Sequence, residues 1–166
     1  MTIKNLGKNF FASSSLVILI FLIDRFSKIY VIYLDKKYLG SEIFSSKYLN
    51  INLIWNEGIA FGLFSSNNQN NYNILTILIL LVISAILFMI IKSKSHERYG
   101  FLMILGGALG NVFDRIIYKG VPDFIDFHVG DFHWFVFNVA DIFISIGVIY
   151  MILLEIVGNN KKKNEV

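Results

Sequence analysis

Residues 74–91 read ILTILILLVISAILFMII, 18 consecutive positions without a charge, close to the ~20 that a helix needs to cross about 30 Å of hydrocarbon. Three further apolar stretches, each interrupted by only a few polar residues, flank it. The pattern predicts four spans, over about 11–33, 74–92, 99–117 and 135–157. Between the first two, Tyr48-Leu49-Asn50-Ile51-Asn52-Leu53-Ile54-Trp55 carries alternating patches, which predict a small strand or ribbon. The stretch 118–134 reads as a loop. With no solenoid repeat and no linker, residues 1–166 are expected to form one domain. The expected fold class is membrane all-α: a four-transmembrane-helix bundle with a small β-like cradle between helices 1 and 2.

Composition agrees, since 55% of residues are hydrophobic and only 16% charged, where a soluble domain carries more charge and shorter apolar runs. Cysteine is absent, which removes disulfide and thiol chemistry. The net charge of +3 is not gathered into a patch for nucleic acid, so no nucleic-acid partner is expected; its distribution reports topology instead. Lys4 and Lys8, then Lys92, Lys94 and Arg98, then Lys161, Lys162 and Lys163 mark one side. Lys36, Lys37, Lys47 and Lys119 are spread over the longer segments of the other. Both termini are therefore expected in the cytoplasm, with 34–73 and 118–134 outside and Trp55 and Trp134 near the outer interface. Lys4 and Lys8 before an apolar run resemble a signal peptide, but Asp24-Arg25-Phe26-Ser27-Lys28 follows in place of a small-residue cleavage site, so an uncleaved first span is expected.

The polar residues inside these spans change the picture. Asp24, Asn111, Asp114, Asn138 and Asp141 all fall within predicted helices, and a carboxylate at mid-bilayer costs roughly 2.5–3.5 kcal/mol on insertion scales. At 1.5 Å per residue, Asp24, Asn111, Asp114 and Asp141 lie roughly 18–25 Å from the cytoplasmic face, with Asp123 in the outer loop just beyond. One depth thus collects them all. Asn111 with Asp114 and Asn138 with Asp141 are i,i+3 pairs, each on one side of its helix. Asp24 and Lys28 are i,i+4 and can pair, as can Asp114 with Arg115. Gly106-Gly107-Ala108-Leu109-Gly110 supplies small residues for close helix packing.

Each feature also has a plain structural reading. Lone asparagines in membrane helices commonly glue helices together, Asp24–Lys28 reads as a structural ion pair, and Asp126 and Asp131 read as solvated loop residues. His96, His128 and His133 show no metal-like spacing, so neither a metal nor a cofactor is expected. Three carboxylates, Asp114, Asp123 and Asp141, still exceed what two cationic partners neutralise. Two carboxylates brought close share a proton, and the charged member can deprotonate water while the neutral one hydrogen-bonds a carbonyl. An aspartic-type hydrolase at the outer leaflet is the chemistry these residues permit. Spacing alone favours Asp114 and Asp141 as the pair, since each has its own asparagine.

The ordered set IDRFSK (23–28), NEGIAF (56–61), GGALGNVFDR (106–115), VPDFIDF (121–127) and FNVAD (137–141) resembles the lipoprotein signal peptidases, or signal peptidase II, bacterial aspartyl proteases with four transmembrane helices. That resemblance implies an endopeptidase of the bacterial cytoplasmic (inner) membrane that removes signal peptides from diacylglyceryl-modified prolipoproteins. The cut falls just before the lipidated lipobox cysteine. It implies Asp123 and Asp141 as the catalytic pair, in place of Asp114 and Asp141. It also implies supporting or substrate-lining roles for Asn56, Gly58, Asn111, Asp114, Arg115, Asn138, Asp24 and Lys28. Prolipoproteins and membrane lipids would be its partners. Pro122 departs from the family's usual Val-Val-Asp-Phe phrase and restrains Val121 beside the aspartate. The 34–73 segment, with its polar Ser65–Asn73 end, is expected to cover the site as a flexible cradle.

Two other classes compete. A proton- or cation-coupled transporter also uses intramembrane Asp, Asn and Lys, but span two carries no charge and only Glu155 is polar enough on the inner half. A non-catalytic assembly subunit would use the same residues as glue, yet Asp123 sits in a loop, outside the membrane.

Overall fold

The computed structural model describes residues 3–58, 69–93 and 95–164. Its helices are α1 (Ile3–Lys37), α2 (Gln69–Lys92), α3 (Ser95–Tyr118) and α4 (Val139–Asn164). Its strands are β1 (Phe44–Ser45), β2 (Leu49–Asn56), β3 (Val121–Val129) and β4 (Phe132–Phe137). The strands form one antiparallel sheet in the order β1-β2-β3-β4. Helix α3 packs on α1, α2 and α4, and α1 also touches α4.

Apolar and polar groups are distributed inside out. Phe26 is 67% exposed, Leu81 64% and Ile149 57%, whereas Asp24, Lys28, Asp114 and Asn138 are each 0% exposed. Water would select the reverse; hydrocarbon as solvent selects this. Among the described residues, α3 (His96–Tyr118) and α4 (Val139–Gly158) contain stretches long and apolar enough to cross a membrane, and the apolar part of α2, Thr76–Lys92, is shorter. An apolar core of Ile83, Ile86, Phe101, Leu105 and Val112 joins α2 to α3.

Small residues let α3 approach its neighbours closely. A Cβ on Gly106 would stand 2.9 Å from Ile20 of α1, one on Gly107 would run into the Ala140 carbonyl and Ile144 of α4, and one on Gly110 would meet the Asp24 carboxylate. Helix α1 ends where Leu39 and Gly40 turn to positive φ, and α3 ends at Lys119 with φ 62°. That last turn swings the chain from helix directly into β3.

Several expectations need correction. Span four does not begin at 135: Phe132–Phe137 is a strand, rich in aromatic and β-branched residues, and α4 starts only at Val139. The segment 118–134 is not a loop but a hairpin, with Val129 paired to Phe132 across Gly130 (φ 60°) and Asp131, so the sheet is shared between the segments 34–73 and 118–134 and Asp123 lies in a strand. Asp126 is buried, not merely solvated. Helix α1 also runs beyond the expected span at both ends, and α3 begins at Ser95, four residues early. Within the expected cradle, Ile59–Phe61 of the second motif and 65–68 lie outside the described residues, and 69–73 already belongs to α2.

Because α3 has no room at these glycines, Gly107→Ala is expected to destabilise the protein by about 1–3 kcal/mol in thermal unfolding in detergent. Gly158→Ala, where a Cβ meets nothing within 4 Å, should be neutral or slightly stabilising.

Candidate active site

Helix α4 begins with a reciprocal cap. Asn138 is the N-cap: its Oδ1 accepts from the Asp141 N–H at 3.2 Å, and Asp141 Oδ2 accepts from the Asn138 N–H at 3.1 Å. This is a capping box with asparagine and aspartate, and it explains the Asn-x-x-Asp phrase better than a shared helical face does. The Asn138 side-chain N–H remains free to donate, and it does so to Asp123 Oδ1 at 2.6 Å. One residue therefore holds both Asp123 and Asp141. The other oxygen of Asp123 accepts from Asn56 of β2 at 2.8 Å, while Asn56 Oδ1 accepts from the Gly58 N–H at 3.0 Å.

Asn111 of α3 donates to Asp141 Oδ1 at 2.8 Å and accepts from Lys28 Nζ at 2.9 Å. Lys28 is fully buried and also reaches Asp24 Oδ2 at 2.8 Å and Asp114 Oδ2 at 2.7 Å. Asp24 Oδ1 accepts from the Ala140 N–H at 2.9 Å, one of the otherwise orphaned donors of the α4 N-terminus. The expected Asp24–Lys28 pair is present; the expected Asp114–Arg115 pair is not. Asp114 pairs with Arg25 of α1, and Arg115 donates to the Gly58 carbonyl. Adjacent residues on a helix point in different directions, so Asp114 and Arg115 serve different partners. Arg25 was not among the expected site residues, although it sits between Asp24 and Lys28 in a span otherwise almost devoid of charge. Its guanidinium also lies 5.3 Å from the Phe113 ring and 5.6 Å from that of Tyr118.

Asp123, Asp141, Asn138, Asn111, Asn56 and Arg115 line one cavity of about 410 Å3 with otherwise largely apolar walls. A second cavity of about 550 Å3, walled by Phe127, Phe132, Trp134, Phe137, Ile142 and Ile146, meets the first at Asp141, Phe135 and Ser145. Asp114 lines neither, being closed off under Arg25 and Lys28. Burial pushes the Asp123 carboxyl up to about 6, against the pull of the Asn56 and Asn138 donors and with a further push from the Asp141 charge.

The three histidines were expected to share no metal-like arrangement. The hairpin brings Asp126, His128 and His133 together, with their ligand-type atoms within 4.8 Å of one another. The β3–β4 turn sets His128 directly opposite His133, a proximity invisible to a search for linear spacing.

Residues 16–157 match the family profile described as Signal peptidase (SPase) II. The chain is 52% identical to the lipoprotein signal peptidase of Pelagibacter ubique (strain HTCC1062), over 95% of both chains. It is 40% identical to that of Anaplasma phagocytophilum (strain HZ), over 81% of this chain and 85% of the relative. Among solved structures, it superimposes on a bacterial membrane enzyme determined in meso at 2.3 Å resolution, with a TM-score of 0.73, 27% identity and 91% coverage of each chain. A second, at 1.9 Å, gives a TM-score of 0.67 and 25% identity over 86% of this chain and 91% of that one.

Two outcomes are expected from this geometry. The raised Asp123 carboxyl favours its neutral form in the folded protein, so its stabilising contribution is complete below about pH 3.8 and lost as pH rises through about 6. The unfolding free energy of the wild type relative to Asp123→Asn, measured by denaturation in detergent, should therefore fall across that window by on the order of 3 kcal/mol at most. Removing the buried ammonium with Lys28→Met leaves Asp24 and Asp114 under-compensated and should cost about 3–5 kcal/mol, measured by unfolding in detergent, with partial recovery in the Asp24→Asn, Lys28→Met double variant.

Proposed function

The chain belongs to the signal peptidase II family, and we propose that Asp123 and Asp141 are its catalytic pair, removing signal peptides from prolipoproteins. The observation that carries this reading is the Asn138 bridge, which holds one oxygen of each carboxylate while both face one cavity. A carboxylate pair held this way keeps one proton between its members. The ionised member takes a proton from water as the water attacks the scissile carbonyl, and the protonated member hydrogen-bonds that carbonyl oxygen. A titration point of about 6 for Asp123 keeps the proton available near neutral pH. Asn56, Asn111 and Asn138 orient the pair; Gly58 and Arg115 fix the edge of the cavity; Asp24, Lys28 and Asp114 support it from below.

The substrate is a prolipoprotein whose lipobox cysteine carries diacylglyceryl, cut before that cysteine. Supporting this is the junction of the two cavities at Asp141: the polar one suits a peptide bond and the apolar one suits an acyl chain. Residues 1–166 act as a single domain with four spans, both termini in the cytoplasm, multi-pass in the bacterial inner membrane, with the site on the extracytoplasmic side. The asymmetric spread of lysine and arginine supports that orientation, and the outward-facing apolar side chains support contact with membrane lipids. The sheet built from β1 to β4 caps the site as its cradle. Nucleic acid has no place in this reading. The transporter alternative finds no support in the family matched.

The test compares wild type with Asp123→Asn and Asp141→Asn, each purified in detergent and given a diacylglyceryl-modified prolipoprotein. Each variant should lose cleavage by roughly 10²–10⁴-fold while still melting cooperatively. Loss of turnover in Asp114→Asn with turnover retained in Asp123→Asn would overturn the assignment of the pair.

A further inference from the structure

On the β3–β4 hairpin, Asp126 Oδ2 lies 2.8 Å from His133 Nδ1, and the His128 and His133 rings stack with centroids 5.1 Å apart. The plain explanation is an ion pair or hydrogen bond between Asp126 and His133. That contact leaves two polar atoms unexplained. Asp126 is only 7% exposed, yet its Oδ1 is buried and makes no hydrogen bond, and His128 Nδ1 is likewise buried and unpartnered. Each such atom costs about 1–3 kcal/mol, and both belong to residues whose ligand-type atoms cluster within 4.8 Å.

We propose that Asp126, His128 and His133 form a binding site for a divalent transition-metal ion, with zinc as the ion of best fit. Two imidazoles and one carboxylate are a donor set that zinc accepts, with metal–ligand bonds of about 2.0–2.2 Å. Ligand atoms around a tetrahedral zinc stand roughly 3.3–3.5 Å apart, so the cluster closes on the ion by side-chain movements on the order of 1 Å. Asp126 and His128, the two residues that carry an unpartnered buried atom, both contribute a ligand-type atom to the cluster. Access is open, because the His133 side chain is 52% exposed, and that open side leaves the fourth position to water. Asp126 follows Asp123 by three residues on β3, and β4 runs from the His133 side to Phe137, immediately before Asn138. The ion fastens the two strands that deliver Asp123 and the α4 cap to the site.

The full-length chain, purified in detergent with a tag free of histidine and stripped with EDTA, is titrated with zinc ion alone. One equivalent should bind and raise the melting temperature. His133→Asn, at an exposed position that tolerates change, and His128→Asn should each lower zinc affinity by more than the roughly tenfold lost when a supporting partner is removed. His96→Asn, on the exposed start of α3, should leave affinity unchanged. No saturable one-to-one binding at micromolar zinc, or binding that survives His133→Asn, overturns the proposal.

Discussion

A lysine ammonium with no exposure to solvent governs this molecule. Lys28 has three donors and no acceptor, and burying it is tolerable only if each donor finds an oxygen. Asp24 accepts a hydrogen bond from it, the Asp114 carboxylate faces it as an ion pair, and Asn111 accepts a second hydrogen bond. The third contact has a consequence beyond charge balance. Because Lys28 can only donate, Asn111 must present its oxygen to it, which leaves the Asn111 amide N–H to donate toward Asp141. The same logic repeats at Asn138, whose oxygen is taken by the Asp141 N–H and whose amide is thereby aimed at Asp123. Each asparagine converts one fixed orientation into the next, from α1 through α3 and α4 to the sheet. A carboxylate pair needs neighbours that cannot rotate away, and a chain of amides anchored on a buried cation supplies them.

Packing and polarity depend on each other here. The Asp24 carboxylate occupies the space that a Cβ at Gly110 would take, so the approach of α1 to α3 is set by a glycine and used by a charge. One turn earlier on α3, Gly107 admits the backbone at Ala140, and the Ala140 N–H is the donor that binds Asp24. Helix contact without side chains is what lets one carboxylate span α1 and α4. In hydrocarbon, apolar contact with lipid is as favourable as contact between helices, so close packing and buried hydrogen bonds take over the work of association.

What the sequence discloses follows from which physics is local. Hydropathy over 18-residue windows locates the helices, and i,i+4 spacing pairs Asp24 with Lys28, since both depend on neighbours in the chain. The Asp114–Arg25 pair depends on how two helices rotate against each other, which no spacing records, so Asp114 was read with its neighbour Arg115. The β3–β4 hairpin carried a legible signal, Gly130-Asp131 between alternating apolar residues, but the aromatic run Phe132–Phe137 was absorbed into the hydropathy of the following helix. Recognising Asn138 as an N-cap would have started α4 at Val139 and released those residues to the sheet. The motif resemblance named Asp123 where spacing favoured Asp114, because the fold that joins β3 to the α4 cap is not encoded in separation along the chain. The Asp126, His128 and His133 cluster was missed for the same reason.

Pro122 shows how the sheet and the helix cap are fitted together. A proline cannot donate to a ladder and is normally kept to edge strands, yet Pro122 sits in β3, which has strands on both sides and pairs Pro122 with Trp55 of β2. The pairing with β4 explains it. That pairing extends only as far as Ile125 with Phe137, after which the chain leaves the sheet at Asn138 to begin α4. From Val121 to Phe124, β3 is therefore an edge on that side, and the missing N–H of Pro122 removes no bond from the β4 ladder. The same early departure of β4 places a helix N-terminus, rather than another strand, beside Asp123. Asn138 can then reach across to it while capping α4. Had β4 continued three residues further, it would have come opposite the proline, and Asn138 would be a strand residue with no helix to cap.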